Sequence, residues 1–292
     1  MNALIATDLD RTMIYSESAL AAPPGPDSVC VEIYRDAPLS FMTQSGVDAL
    51  TALAARTPVV PVTTRTRAQF ERIMLPGRPF RFAVVSNGGR ILCDGEDDVG
   101  WRAALQARVR DRSVPLADLH ADLLTRIDES WVRATRVADD LFAYLVVDTE
   151  RQPADFLASW NEWCVPRGWT VSQQGRKIYA MPVGVTKSAA IAEVRRRLVD
   201  DGALSADAPV LAAGDGRLDA DMLESADHAI RPRHGELHDS GWTIPGLAVT
   251  RRAGIAAGEE VLAWLAAHTP DSPTPDHTAL DIPVPDPAFA EK

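Results

Sequence analysis

The feature that most restricts this chain is a repeated unit: a short apolar run that stops abruptly at a polar cluster, with a helical stretch close by. The first instance is Ala3-Leu-Ile-Ala-Thr-Asp8, which runs into Asp8-Leu-Asp10-Arg-Thr12. An apolar run of that length reads as a strand buried between two covering layers. Residues 58–62, 82–85, 209–213 and 247–250 read the same way, and helices are expected near 45–56, 67–74, 187–200, 219–225 and 259–268. Strands alternating with helices predict an α/β fold with a Rossmann-like parallel-sheet core and helices on both faces. Such sheets bind their ligands beyond the carboxyl ends of the strands, which is where the polar clusters fall.

Between 90 and 185 the pattern changes. Helices are expected at 103–112, 116–127 and 153–165. Strand pairs are expected at 131–137 with 141–148, turning at Ala138-Asp-Asp140, and at 169–173 with 177–181, turning at Gln174-Gly175. This segment reads as an inserted α+β domain that divides the core into 1–89 and 186–268. Trp101, Trp131, Trp160, Trp163 and Trp169 lie in it and are expected to fill its core rather than to form a sugar-stacking platform. Residues 21–40, proline-rich at their start, read as a flap beside the first polar loop, with a short strand at 30–34. Six prolines and several aspartates mark 269–292 as an extended, mobile tail.

Acidic residues outnumber basic ones 41 to 30, a formal charge of -11. Most of this surface repels a phosphate polymer, so nucleic acid is not an expected partner. Apolar runs stay well short of the roughly 20 residues needed to span a bilayer, and MNALIATDLD lacks the pattern of a signal peptide. A cytoplasmic protein with no membrane partner is expected, its oligomeric state left open. Cys30, Cys93 and Cys164 are widely spaced and expected to be reduced. His234 and His238 are spaced like paired metal ligands, but Pro232 and Gly235 argue against the helix such a pair needs.

The polar clusters carry the chemistry. On an extended backbone Asp8 and Asp10 project to the same side, so one can act as nucleophile and the other as proton donor; a pair of helix-capping aspartates is the alternative. Thr63-Thr64-Arg65 offers a hydroxyl and backbone N–H groups, either for phosphate oxygens or as a helix cap. Lys187 opens a helix, where its charge opposes the macrodipole unless an anion is near. Gly214-Asp215-Gly216 followed by Asp219 and Asp221 has the oxygen donors a hard divalent cation takes, and reads equally as a turn with an acidic cap.

In this order the clusters resemble the haloacid dehalogenase superfamily. Asp8-Leu-Asp10-Arg-Thr12 is similar to its first motif, Thr63 to its second, Lys187 to its third and Gly214-Asp215 through Asp219 to its fourth. Val85-Ser-Asn87-Gly88-Gly89 and Met181-Pro-Val-Gly-Val-Thr-Lys187 resemble the boundaries of the large α/β cap in the branch that holds Cof-type, sucrose-phosphate and mannosyl-3-phosphoglycerate phosphatases. The resemblance implies a Mg2+-dependent phosphomonoesterase acting on a small phosphorylated metabolite, a sugar phosphate or a phosphoglycerate derivative, through an aspartyl-phosphate. It makes Asp8 the nucleophile and Asp10 the acid and base. Thr63, Thr64 and Lys187 would hold phosphate, and Asp8, Asp10, Asp215 and Asp219 the cation. On the cap, Arg133, Arg136, Arg176 and Lys177 are candidate anion contacts. Phosphomutase or phosphotransferase chemistry with the same nucleophile, or a non-catalytic ligand-binding scaffold, are the alternatives. Two positions depart from the pattern: Thr64 stands where relatives carry Gly, and Leu218 where they carry Asn.

Overall fold

A computed structural model of the protein describes residues 2–20 and 25–270. The chain begins with β1 (Leu4–Thr7), β2 (Tyr15–Ser16), β3 (Ser28–Tyr34) and β4 (Ala37–Thr43). It continues through α1 (Gln44–Ala54), β5 (Val59–Pro61), α2 (Arg67–Phe70), β6 (Phe82–Val85), β7 (Arg90–Cys93) and β8 (Glu96–Asp97). The inserted layer comprises α3 (Val99–Arg112), α4 (Leu116–Thr125), β9 (Val132–Ala138), β10 (Phe142–Val147), α5 (Phe156–Cys164), β11 (Trp169–Gln174) and β12 (Lys177–Pro182). The chain then returns through α6 (Lys187–Asp200), β13 (Val210–Ala213), α7 (Ala220–Ser225), β14 (His228–Arg231), α8 (Glu236–Asp239), β15 (Ala248–Val249) and α9 (Ile255–His268).

The core is a parallel sheet in the order β15-β14-β13-β1-β5. Its strands are apolar throughout because both faces are covered. Leu4 and Ala6 of β1, with Val210 and Ala212 of β13, point into one apolar cluster under α6 and α7. Ile5, with Leu211 and Ala213, points into the other, under α1 and α9. Burying each of these larger side chains contributes roughly 2 kcal/mol. Helix starts are set by side-chain caps: Thr43 accepts from the Gly46 N–H, and Thr186 from the Ala189 N–H at 3.2 Å.

Three expectations change. Strand β6 does not join the parallel sheet; it touches it only through a bridge between Val62 and Val84, and pairs instead with β7 and β8 in a small antiparallel sheet. The cause is a reversal at Ser86 and Asn87, both at positive φ, that sends the chain straight back. Residues 90–97 therefore pair with the core strand before the chain departs. Strand β14, which the sequence reading passed over, supplies a member of the sheet. Helix α2 is a single turn, because the Met74 N–H leaves it to bond the Val31 carbonyl.

The inserted layer is an antiparallel sheet in the order β11-β12-β10-β9, with its own apolar cluster beneath α3, α4 and α5. Trp131, Trp160 and Trp169 are buried in it, with Trp131 edge-on to Phe156 and Trp163 stacked on Trp160. Trp101 instead packs on the core beside β6. At the junction the outgoing and returning chains run side by side. Asn87 Nδ2 donates to the Val185 carbonyl at 3.2 Å, and Gly88, at positive φ, lies so close to the Thr186 carbonyl that no side chain fits. Residues 28–43 and 15–16 form the third layer, a small sheet in the order β2-β4-β3 beside the carboxyl end of β1. The expected tail lies outside the described residues apart from Thr269 and Pro270, where the Thr269 hydroxyl donates to the Leu265 carbonyl at the end of α9. Among the described residues no helix is long and apolar enough to cross a membrane.

Candidate active site at the carboxyl ends of the core strands

Three acids converge where β1 and β13 end. Asp8 follows β1, and Asp215 and Asp219 follow β13; each offers a carboxylate oxygen within 4.8 Å of the others, and all three are buried. Gly214 makes this possible, since a β-carbon there would sit only 2.8 Å from Asp219 Oδ2. The first residue of α6 supplies the counter-charge. The Lys187 ammonium, 1% exposed, donates to Asp8 Oδ1 at 2.6 Å, to Asp219 Oδ1 at 2.5 Å and to the Val62 carbonyl at 3.0 Å, which uses its three protons. The Thr12 hydroxyl reaches Asp8 Oδ2 at 3.3 Å, and the Gly216 N–H donates to Asp219 Oδ2 at 2.8 Å.

One lysine does not balance three carboxylates. Burial and then the Asp219 charge push the Asp8 carboxyl up to about 7, against the pull of Lys187. Burial and the Asp8 charge likewise hold Asp215 well above the usual carboxylate range; Arg11, 3.6 Å away, offsets only part of this. Burial alone would lower the Lys187 ammonium, and the charges of Asp219 and Asp8 reverse that, so it stays protonated. An all-oxygen donor set with surplus negative charge suits a hard divalent cation, which would supply the missing positive charge. The cluster is made of carboxylates alone. His234 accepts from the Gly254 N–H and donates to the Arg11 carbonyl, while His238 bonds Arg231.

Asp10 stands two residues beyond Asp8, with its side chain nearly half exposed to the cavity and held by a fork from Arg65: Nε and Nη2 each lie 2.7 Å from a carboxylate oxygen. Burial in the cavity works to raise the Asp10 carboxyl, and the two-pronged Arg65 contact outweighs it, holding it below its ordinary value. Arg65 is itself braced from behind by Glu32 of β3, fully buried, whose Oε2 accepts from Arg65 Nη1 at 2.8 Å and from the Ser40 hydroxyl at 2.7 Å. Arg72 reaches the other oxygen at 3.3 Å. The sequence reading named neither Arg65 nor Glu32 as a site residue. The pairing register of β3 with β4 shifts on both sides of Glu32, a bulge of the kind that re-aims a side chain. The only signal in the sequence was an acid inside the apolar strand of the flap.

The threonines divide the work differently from the expectation that both hold phosphate. Thr63 is fully buried; its N–H bonds the Val84 carbonyl, and its hydroxyl accepts from the Arg65 N–H at 3.1 Å, shaping the loop from beneath. Thr64 lines the cavity and hydrogen-bonds Tyr179 of β12. The other unusual position, Leu218, packs against the apolar cluster of the inserted layer. Both departures from the motif are thus contacts between core and insert.

The cavity above these acids has a volume of about 530 Å³. Its floor is Asp8, Asp10 and Asp215; the flap contributes Tyr34 and Leu39, and the hairpin between β11 and β12 contributes Gln174, Gly175, Arg176 and Lys177. A volume of this size accommodates a small metabolite. Of the four cap cations expected there, Arg176 and Lys177 line the cavity. Arg133 and Arg136 do not, because they lie on β9, the edge strand beyond β10, where Arg133 pairs with Asp148 at 2.5 Å and Arg136 bonds the Thr135 carbonyl.

No protein-family model matches the chain, and no curated protein matches it in sequence. Solved structures do. The sucrose-phosphatase of Synechocystis sp. PCC6803, determined with sucrose and phosphate, superimposes with a TM-score of 0.64 at 15% identity, covering 91% of this chain and 98% of that one. A Thermoplasma acidophilum protein gives 0.58 at 12% identity, covering 91% and 99%. A subclass IIB sugar phosphatase of the haloacid dehalogenase superfamily gives 0.54 at 12% identity, covering 91% and 98%. The ordered motifs and this architecture agree: the chain has the fold of the haloacid dehalogenase superfamily phosphatases, with a large cap inserted between its second and third motifs.

Proposed function

We propose that the protein is a Mg2+-dependent phosphomonoesterase that works through an aspartyl-phosphate on Asp8. The observation that carries this reading is the placement of Asp8: a buried carboxylate at the end of the central strand, aligned by Lys187 and adjoining Asp215 and Asp219. The residues fit a magnesium ion held by Asp8 and Asp215, with the Asp10 carbonyl as a further donor and Asp219 orienting its waters. Such an ion supplies positive charge that offsets the repulsion between a carboxylate nucleophile and a phosphoryl dianion.

Asp8 attacks phosphorus in line and takes the phosphoryl group as the bond to the leaving oxygen breaks. Lys187 favours the ionised form of Asp8, a preference that a bound cation would complete, and its positive charge, with the Thr64 N–H, faces the developing charge on the phosphoryl oxygens. Asp10 gives its proton to the departing alkoxide, then as carboxylate takes one from the water that splits the acyl phosphate. Paired with Arg65 it is in the ionised form, the one the second half-reaction requires. The first half-reaction needs the fork loosened so that Asp10 binds a proton, and phosphoryl oxygens offer Arg65 a competing acceptor. The β11–β12 hairpin, seated over the floor, limits access of bulk water to it. The fold shared with the sucrose-phosphatase and the subclass IIB sugar phosphatase supports a small phosphorylated metabolite as substrate.

The test is phosphate release from p-nitrophenyl phosphate and a panel of sugar phosphates and phosphoglycerates, with magnesium and after chelation. Turnover that requires magnesium and disappears in Asp8→Asn is the expected result. Full activity in Asp8→Asn, or binding without turnover across the panel, would overturn the assignment.

A further inference from the structure

The two walls of the cavity carry opposite charge, and they differ in how their charged groups are paired. On the floor Lys187 pairs with Asp8 and Asp219, Arg11 with Asp215, and Arg65 with Asp10 and Glu32, while Glu236 accepts from the Arg217 backbone N–H and the acids outnumber the cations that hold them. On the flap side Arg72 shares Glu32 and lies over the Tyr34 ring, 4.7 Å from its centre. The hairpin between β11 and β12 differs. Arg176 and Lys177 sit at consecutive positions on the cavity wall, and among the described residues neither side chain forms an ion pair or a hydrogen bond. Lys177 is half-buried, with its ammonium 5.9 Å from the centre of the Tyr144 ring and within electrostatic reach of Asp10, but with no hydrogen bond to it.

Arg176 is exposed at the turn and Lys177 half-buried next to it; the two like charges repel, and the part-burial of Lys177 costs hydration, a cost that is recovered when an anion binds between them. The transferring phosphoryl group must reach Asp8 on the floor, where Lys187 stands, whereas Arg176 and Lys177 belong to the hairpin wall, which places them for a second anionic group. The hairpin is fixed in height above the floor by its own contacts: the Gln174 amide abuts Gly216 of the cation loop, and Tyr179 bonds Thr64.

Resting on the phosphatase reading above, we infer that Arg176 and Lys177 form a second anion subsite and that the substrate is a phosphomonoester bearing a further acidic group, rather than a phosphorylated neutral sugar. A carboxylate and a second phosphate share the chemistry this pair recognises.

Matched substrates that differ by one anion separate the possibilities. 3-Phosphoglycerate is compared with glycerol 3-phosphate, which lacks the carboxylate, and fructose 1,6-bisphosphate with fructose 6-phosphate, which lacks the second phosphate. The ratio of kcat/KM within each pair is read in the wild type, Arg176→Ala and Lys177→Met, with p-nitrophenyl phosphate as the reference. We expect the acid-bearing member of at least one pair to be preferred about tenfold or more, through KM, and the preference to collapse in both variants. The pair that shows it identifies the second anion. Ratios near one in both pairs, with p-nitrophenyl phosphate still hydrolysed, overturn the subsite and leave the phosphatase assignment standing; so does a preference that survives both substitutions. No phosphate release from any substrate overturns the phosphatase assignment, and the subsite with it.

Discussion

The floor and the roof of the cavity make an instructive contrast. The floor is assembled from the ends of parallel strands and the start of α6, so Asp8, Lys187, Asp215 and Asp219 are fixed by a buried sheet and by one another. The roof is a hairpin turn of the inserted layer, and among the described residues the side chains of its charged groups, Arg176 and Lys177, form no ion pair or hydrogen bond, Lys177 having the Tyr144 ring near its ammonium. A constellation held in place by a buried sheet and by its own hydrogen bonds suits bond-making chemistry, which needs geometry set before the substrate arrives. Exposed, unsaturated groups on a separate layer suit recognition, which can change while the chemistry stays. Between the two lies the flap, which lines the cavity with Tyr34 and Leu39 and reaches Asp10 through Glu32 and Arg65.

This contrast can be broken at several depths. The largest effect short of removing Asp8 is expected for Asp10→Asn, which can neither give nor take a proton. On alkyl phosphates it should lower kcat by about 10²–10⁴-fold. With p-nitrophenyl phosphate, whose leaving group needs no acid, it should release a rapid burst of nitrophenolate followed by slow turnover, because only the second half-reaction then needs Asp10. A burst equal for both substrate classes, or none for either, would remove Asp10 from the floor's machinery.

The flap is probed next by Glu32→Gln. Removing the charge from a fully buried group that faces two arginines breaks an ion pair whose partner stays buried, and should destabilise the fold by about 3 kcal/mol in denaturant unfolding. Activity should fall as well, with the loss in kcat rather than KM, since Arg65 loses its brace but the phosphate contacts remain. Unchanged stability would mean that the flap merely covers the site. The smallest effect is expected on the outer edge of the inserted layer. Arg133→Ala removes an exposed ion pair worth about 0.2–1 kcal/mol and should leave KM for every substrate unchanged. A raised KM would extend the roof's recognition surface to β9, where the structure places none of the cavity.

The same contrast explains what could be read from the sequence. The floor was legible because each of its residues sits where an apolar run ends or a helix begins, positions that the strand and helix patterns locate directly. Trp131, Trp160 and Trp169 are legible as core of the insert from their strand and helix spacing, whereas Trp101 packs on the core beside β6. Glu32 and Arg65 were harder: their alliance depends on a bulge in β3 and on a contact across 33 residues, neither of which has a local signature. Thr63 and Thr64 look alike in sequence, and only the fold, through the bridge from Val62 to Val84, shows that Thr63 is the buried one and Thr64 the one that lines the cavity. On the cap, four basic residues were equivalent in sequence, and strand order alone separates Arg176 and Lys177 from Arg133 and Arg136. Strand β14 escaped notice because a four-residue strand flanked by His228 and Arg231 lacks the uniform apolar run of its neighbours.

The account rests most heavily on the convergence of Asp8 and Asp215 on one cation beside the phosphoryl group. A crystal structure with magnesium and beryllofluoride tests this directly. The account predicts beryllium bonded to a carboxylate oxygen of Asp8, the ion in contact with Asp8 and Asp215, and a fluorine facing Lys187. Beryllofluoride bound elsewhere, or a magnesium ion that leaves Asp215 untouched, would contradict it.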